Sequence, residues 1–470
     1  MNESRGTRQL FVEFEPRRGA LRRNLCEALR AAIQEGRLPA GMQLPSSRGL
    51  AAELAVSRGV VTDAYDQLVS EGYIAVRPRS GHVVASVASS PPPAVEPVPR
   101  AVRFDLIATT PEVGLFPRRA WLRAVERALR EAPDAALDYS DRRGRIELRT
   151  ALGPYLARVR GVRVDPARIV VTQGFTQGLY LICRALAAHG AATVAFETPS
   201  LPELWITVRA AGLELVGCPV DAEGLRVQDL ACLRADAVVV TPAHQYPMGA
   251  VLTPARRAAL LAWAAETGGI IIEDDYDAEF RYDRTPVGSI QGRDPDRVVH
   301  IGTASKTLAP GVRLGWMSVP AALLEDVRAA KMSMDHGSPA IDQVALAHLL
   351  ANGAYERHVA RVRQVYRRRR DLLVRAIAAR RPELALQGIT AGTHALLPLG
   401  EEVDDTGIAR AASAEGIRVR DLTSQRLVPG PERGLVLGFG RLPDGHVDAA
   451  LEAVLGLIPK GSGDPTVPMA

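Results

Sequence analysis

Lysine is nearly missing from this chain. Of the 58 basic residues among 470, only Lys306, Lys331 and Lys460 are lysines, and the rest are arginines. A guanidinium stays protonated, whereas a desolvated lysine amine can shed its proton and attack a carbonyl; each lysine kept against this bias is therefore a candidate for imine chemistry. Cysteine is scarce too. Cys26, Cys183, Cys218 and Cys232 stand far apart without a CxxC pair, which argues against a metal site or a disulfide framework and leaves them as core thiols. No apolar run reaches the roughly 18 residues needed to cross a bilayer, and the opening MNESRGTRQLFVEFEP lacks the apolar stretch of a secretory signal. The expected location is cytoplasmic, with no membrane partner. A net charge of +5 neither demands nor forbids a nucleic-acid partner.

With 47% hydrophobic residues over this length, the chain can bury two or three cores. A boundary shows at residues 86–103, SVASSPPPAVEPVPRAVR, which reads as a semi-rigid linker between residues 1–85 and residues 104–458; residues 459–470 read as a flexible tail. Before the linker, Leu21, Leu25, Leu29 and Ile33 draw an apolar stripe on a helix that Gly36 can end. After it the texture changes. Short apolar runs, IVVT (169–172), ATVAF (192–196), AVVVT (237–241), IIIED (270–274) and VVHIG (298–302), alternate with helical segments. That pattern predicts an α/β domain with a largely parallel sheet covered on both faces. The run Arg367 to Arg370 reads as a solvated helix face.

In PSSRGLAAEL, Ser46 or Ser47 can cap a second helix, and after the turn Ala55-Val56-Ser57 a third runs from its Ser57 cap to Ser70. Val61, Ala64, Tyr65 and Leu68 then face inward while Arg58, Gly59 and Thr62 face out, the layout of a recognition helix. YIAV and HVVA flank RPRSG, a turn whose Arg77 and Arg79 can reach phosphates or the minor groove. Residues 15–85 resemble the GntR family of winged-helix regulators through QLPSSRGLAAELAVSRGVVTDAYDQLVSEGYI and RPRSGHVV. The resemblance implies a double-stranded DNA operator as partner, met by Arg48, Ser57, Arg58 and Gly59 and by Arg79 and Gly81 in the wing.

Further along, Gly174, Phe175 and Thr176 sit between a strand and a helix, where unpaired N–H groups can cradle a phosphate. IIIEDDYDAEFRY sets Asp274 at the carboxyl end of a buried strand. A carboxylate there suits the pyridinium nitrogen of pyridoxal 5'-phosphate, whose ring oxygen Tyr276 could meet; with no histidine nearby in sequence, a metal is not expected. HIGTASKTLAPGVRLGW places Lys306 just past a strand, with Thr303 and Ser305 as phosphate-binding hydroxyls and Arg313 as a charge-assisted clamp.

These residues, with YSDRRGRIELR from Tyr139, HQYPMG around Tyr246 and LVLGFGRL, resemble fold-type I aminotransferases over residues 105–455. A GntR-like head joined to such a domain resembles the MocR subfamily, to which the GabR-like regulators belong. The resemblance implies a homodimer with each head over the partner's large domain, a smaller C-terminal α+β part, and an amine or amino acid sensed by external aldimine formation at Lys306. It also exposes departures. Leu201 stands where an aromatic commonly stacks on the cofactor, Glu203 where a carboxylate-binding arginine is found, and Tyr246 where aminotransferases carry an asparagine. Glu203 points to an effector with an extra cationic group, while Arg420, Arg426 and Arg433 stay open as carboxylate binders. An active aminotransferase carrying a DNA-binding head is the alternative to a sensor, and a cofactor-free dimerisation scaffold is a third reading.

Overall fold

The computed structural model describes residues 20–78, 80–86, 102–139, 141–283 and 287–462. Arg79, most of the expected linker and residues 463–470 of the expected tail lie outside them. The chain divides into two compact units, Met1–Pro99 and Arg100–Ala470.

In the first unit, helices α1 (Leu21–Gln34), α2 (Ser47–Glu53) and α3 (Arg58–Ser70) precede an antiparallel hairpin of β1 (Ile74–Arg77) and β2 (Gly81–Val84). The stripe Leu25, Leu29 and Ile33 packs with Leu50, Val61, Ala64, Tyr65 and Leu68 in one core; emptying one such leucine site to alanine costs about 2–5 kcal/mol. Of the two serines proposed as cap, Ser46 does the work: its Oγ accepts from Gly49 N–H at 3.1 Å. Ser57 caps α3 through Val60 N–H at 3.4 Å. Between the two helices Ala55 turns the chain at φ 54°.

The second unit is built on an eight-stranded sheet. In spatial order its strands are Ile169–Thr172, Gly315–Ser318, Val298–Thr303, Ile270–Asp275, Ala237–Val240, Thr193–Thr198, Glu214–Asp221 and Gly224–Leu225. The five strands from Val298–Thr303 through Glu214–Asp221 are mutually parallel, whereas Gly315–Ser318 runs against both its neighbours. Because side chains alternate along a strand, Ala237 and Val239 meet the core under helices Phe175–Ala188 and Leu324–Asp335, while Val238 and Val240 meet the core under Pro254–Thr267. A smaller antiparallel sheet, His394–Leu399, Arg433–Gly438 and Arg420–Asp421, forms the α+β part near the C-terminus. Among the described residues no helix is long and apolar enough to cross a membrane.

Two expectations on composition change here. Cys26, Cys183 and Cys218 are buried, but Cys232 is exposed. The arginine run does not lie wholly in solvent: Arg369 is buried, donating to the Gly440 carbonyl and pairing with Glu112 and Asp444, and Arg370 stacks over the Tyr282 ring at 4.8 Å. The 27-residue helix Ala354–Arg380 turns one arginine face inward because loop acids and carbonyls wait there.

Candidate functional site

Alternation along one strand organises the site. In Ile270–Asp275, Ile272 faces the core under helix Phe175–Ala188, and Asp274, two residues on, therefore emerges on the same face. Glu273 and Asp275 turn the other way, toward Ser289 and Arg160. Asp274 opens into a cavity of about 310 Å³ that Phe175, Thr176, Leu201, Tyr246, Tyr276, Thr303, Ser305, Lys306 and Arg313 also line. Sequence positions spread over 139 residues thus converge on one hollow at the carboxyl ends of the parallel strands.

Lys306 is part-buried in the turn after Val298–Thr303 and donates its Nζ to the Thr109 carbonyl. Burial pulls its amine down to about 8, against the opposing pull of Asp277 and Asp274. Asp274 Oδ1 is buried with no hydrogen-bond partner among the described residues; burial, and the neighbouring charge of Asp275, push this carboxyl well above its ordinary range. Such a group calls for a cationic or donating partner that the described residues do not supply.

Gly174 (φ 93°) leads into helix Phe175–Ala188, and a Cβ there would meet the Arg313 guanidinium at 3.6 Å. Arg313 holds a left-handed backbone, φ 52°, which is costly for a side chain of its size and aims the guanidinium at this helix start. No partner among the described residues engages that guanidinium. Thr303 Oγ1 and Ser305 Oγ lie 2.9 Å apart beside it. Helix N-terminus, hydroxyls and guanidinium are all groups that can donate to an anion, and Phe175, Thr176, Thr303, Ser305 and Arg313 share their cavity with Asp274.

On the first unit, Arg48, Ser57, Arg58, Gly59, Thr62, Arg77 and Gly81 are all exposed. Arg58 Nε lies 3.4 Å from Ser47 Oγ, so the recognition-helix arginine leans toward the start of α2, next to Arg48. Thr62 Oγ1 is turned back on the Arg58 carbonyl at 3.0 Å. Arg79 falls outside the described residues.

Residues 21–84 match the bacterial regulatory proteins of the gntR family, and residues 113–449 match aminotransferase class I and II. The chain belongs to the MocR-type regulators, a GntR head fused to an aminotransferase-like domain. This MocR-type chain is 34% identical over 423 residues to the HTH-type pyridoxine biosynthesis transcriptional regulator PdxR of Corynebacterium glutamicum, covering 88% of this chain and 91% of that protein. It is 30% identical to the probable rhizopine catabolism regulatory protein MocR of Rhizobium meliloti, covering 89% and 90% of the two chains. Its large domain is similar to an archaeal alanine:glyoxylate aminotransferase in crystal form, at 26% identity and TM-score 0.69 over 76% of this chain and 90% of the other.

Several site expectations are rearranged in this MocR-type chain. Glu203 is exposed and closed by Arg420 at 2.5 Å, so its charge is met within the protein and does not call for a cationic effector. Arg426 pairs with Glu432, and Arg433 donates to the Gly430 carbonyl at 2.8 Å; neither borders the cavity. The hydroxyl of Tyr246 goes to Gln425 Oε1 at 2.6 Å, and that of Tyr276 to the His244 carbonyl at 3.1 Å. Histidines, absent around Asp274 in sequence, arrive from elsewhere: His300 lies 3.6 Å from Asp275, and His244 lies 2.9 Å from Asp277. Glu197, unremarked in the sequence, lines the cavity as well; burial raises its carboxyl to about 7, against hydrogen bonds from Thr241 and Gln245.

Proposed function

We propose that this chain regulates transcription by binding an operator through its winged head and pyridoxal 5'-phosphate in the cavity at Lys306, where an amine or amino acid is sensed. The observation that carries the reading is the buried, partnerless Asp274 Oδ1 facing the same hollow as Lys306. A pyridinium N–H is the kind of donor that oxygen lacks, and the same hollow, with Arg313, Thr303, Ser305 and the N–H groups at Phe175 and Thr176, suits a phosphate. The residues present therefore fit the cofactor. When bound, it supplies an aldehyde that an amine can engage and a ring that withdraws electrons.

The chain's own groups do the rest. Burial lowers the Lys306 amine to about 8, which gives it a larger unprotonated, nucleophilic fraction at neutral pH than an ordinary lysine has. Asp274 would answer the protonated ring nitrogen, Tyr276 and Tyr246 would border the ring from the same hollow, and Leu201 would offer an aliphatic contact in place of an aromatic stack. A homodimer in the cytoplasm, with two heads reading two half-sites, is the assembly this arrangement serves.

Purified protein incubated with pyridoxal 5'-phosphate and dialysed should keep a visible absorbance band, and Lys306→Ala should lose it. A panel of amines should then alter both the band and operator affinity. An operator response unchanged in Lys306→Ala would overturn the sensing role, and catalytic release of a keto acid from an added amine would make the chain a transaminase.

A further inference from the structure

Two carboxyls line the cavity, Asp274 and Glu197, and a bound pyridoxal ring has one nitrogen to offer them. Glu197 stands on the strand Thr193–Thr198, 3% exposed, and is tied down by one oxygen only. Its Oε2 accepts from the Thr241 N–H at 3.0 Å and from the Thr241 hydroxyl at 2.5 Å, with the Gln245 amide further off at 3.4 Å. Oε1 accepts from no donor among the described residues. No arginine or lysine among them pairs with this carboxyl, and the buried rings of His244 and His394 gather at Asp277 instead. A carboxyl anchored through one oxygen, with the other unmatched on a cavity wall, is an acceptor waiting for a donor.

The cofactor would not fill that role. Pyridoxal 5'-phosphate carries a single ring N–H, which falls to Asp274, and its phosphate, ring oxygen and aldehyde oxygen accept rather than donate. The donor to Glu197 must then come from the molecule that is sensed. The cations on the wall limit that molecule in turn. Among the described residues they are Lys306 and Arg313, both engaged by the cofactor, while Arg420, Arg426 and Arg433 do not border the cavity. Nothing positive is left on the wall for an effector's carboxylate. Phe196, Leu201, Leu204 and Val239 add apolar wall, which suits a methylene chain. Burial raises the Glu197 carboxyl to about 7, and an ammonium set against Oε1 would draw it to its charged form in a charge-assisted hydrogen bond.

We propose that Glu197 is a specificity-determining residue of the sensing site, its Oε1 receiving the second ammonium of an aliphatic diamine whose first amino group meets the cofactor. This rests on the cavity being the cofactor site. Full-length protein loaded with pyridoxal 5'-phosphate is titrated with 1,3-diaminopropane, 1,4-diaminobutane and 1,5-diaminopentane, each against the monoamine and the amino acid of equal length, and the visible absorbance is followed. At the best-fitting length the diamine should act at a concentration about tenfold or more below both comparators, beyond the statistical gain of carrying two amino groups. In Glu197→Gln the amide can keep its oxygen on Thr241 but turns an N–H toward the cavity, so the diamine's advantage should fall to that statistical gain. A diamine without advantage at any length, an amino acid preferred, or an advantage kept in Glu197→Gln overturns the assignment. Should Glu197→Gln fail to fold, Glu197→Asp, which draws the acceptor back by one methylene, is read in its place: the preferred diamine should lengthen or lose its advantage, and an unchanged preference sinks the idea. Failure of the underlying site looks different. Wild-type protein that holds no visible band, or a band indifferent to every amine, refutes the cofactor site, whereas a band that all amines change alike refutes the diamine alone.

Discussion

Arg160 clasps Asp275 with two hydrogen bonds, Nε to Oδ2 at 2.6 Å and Nη2 to Oδ1 at 2.9 Å, both side chains being buried. The pair spends the second aspartate of IIIEDD on the fold, on the sheet face turned away from the cavity, and leaves Asp274 to the site. Arg160→Met would strand a buried carboxylate, and the expected loss is about 3–5 kcal/mol of stability. Urea unfolding of the cofactor-free protein measures it; a loss within error would mean that the clasp contributes nothing.

Acid stability should depend on Glu273. Burial raises its carboxyl, but His300, the Ser289 hydroxyl and the Ile290 N–H together bring it down to about 2. A carboxyl held lower in the folded than in the unfolded chain contributes stability that is present above the ordinary carboxylate range and lost as pH falls toward 2. Glu273→Gln should flatten that acid limb by an amount on the order of 3 kcal/mol, read from unfolding midpoints at a series of pH values.

Asp274 has the opposite sign. Its carboxyl is raised in the fold, so the folded state binds the proton more tightly and stability declines as pH climbs out of the ordinary carboxylate range. Asp274→Asn in cofactor-free protein should remove that decline and stabilise the chain near neutral pH by roughly 1–3 kcal/mol, while weakening retention of pyridoxal 5'-phosphate. Thermal unfolding with and without cofactor checks both halves; a variant less stable in the cofactor-free state would refute the idea that this carboxylate waits for a partner.

For the DNA head, Arg58→Ala should weaken operator binding by about 1–3 kcal/mol if the arginine reads a base edge, and Arg48→Ala should weaken operator and random DNA alike while reducing the salt dependence. Fluorescence anisotropy at two salt concentrations distinguishes these outcomes. Equal affinity of Arg58→Ala and wild type would remove that residue from the interface.

Opening the surface pair is a gentler change. Glu203 and Arg420 are partly exposed, so Glu203→Gln should cost less than about 1 kcal/mol in stability. It also frees the guanidinium, and the amine panel should then shift toward effectors that carry a carboxylate. An unchanged preference would show that Arg420 does not reach the effector.

Features that depend on neighbours in sequence were legible beforehand. The capped recognition helix follows from Ser57 and the apolar spacing of Val61, Ala64, Tyr65 and Leu68; the sheet follows from its short apolar runs; and the positions of Asp274 and Lys306 follow from where those runs end. Residues that depend on distant crossings were not. Nothing around position 274 announces His244 or His394, and nothing near Glu203 announces an arginine 217 residues away. The arginine run misled for the same reason, because Arg369 is buried only where Glu112 and Asp444 come to meet it.

Chain order alone determined that a lone lysine follows a strand, that acidic residues end another, and that a small helical head precedes them, since periodicity and capping act over a few residues. Only the tertiary structure decided which acid belongs to which base: Asp275 to Arg160, Asp277 to His244, Glu203 to Arg420, and Asp274 to no partner among the described residues. Those pairings come from segments brought together by the packing of the sheet and its helices, and the strength of each depends on burial, which no local stretch of sequence encodes.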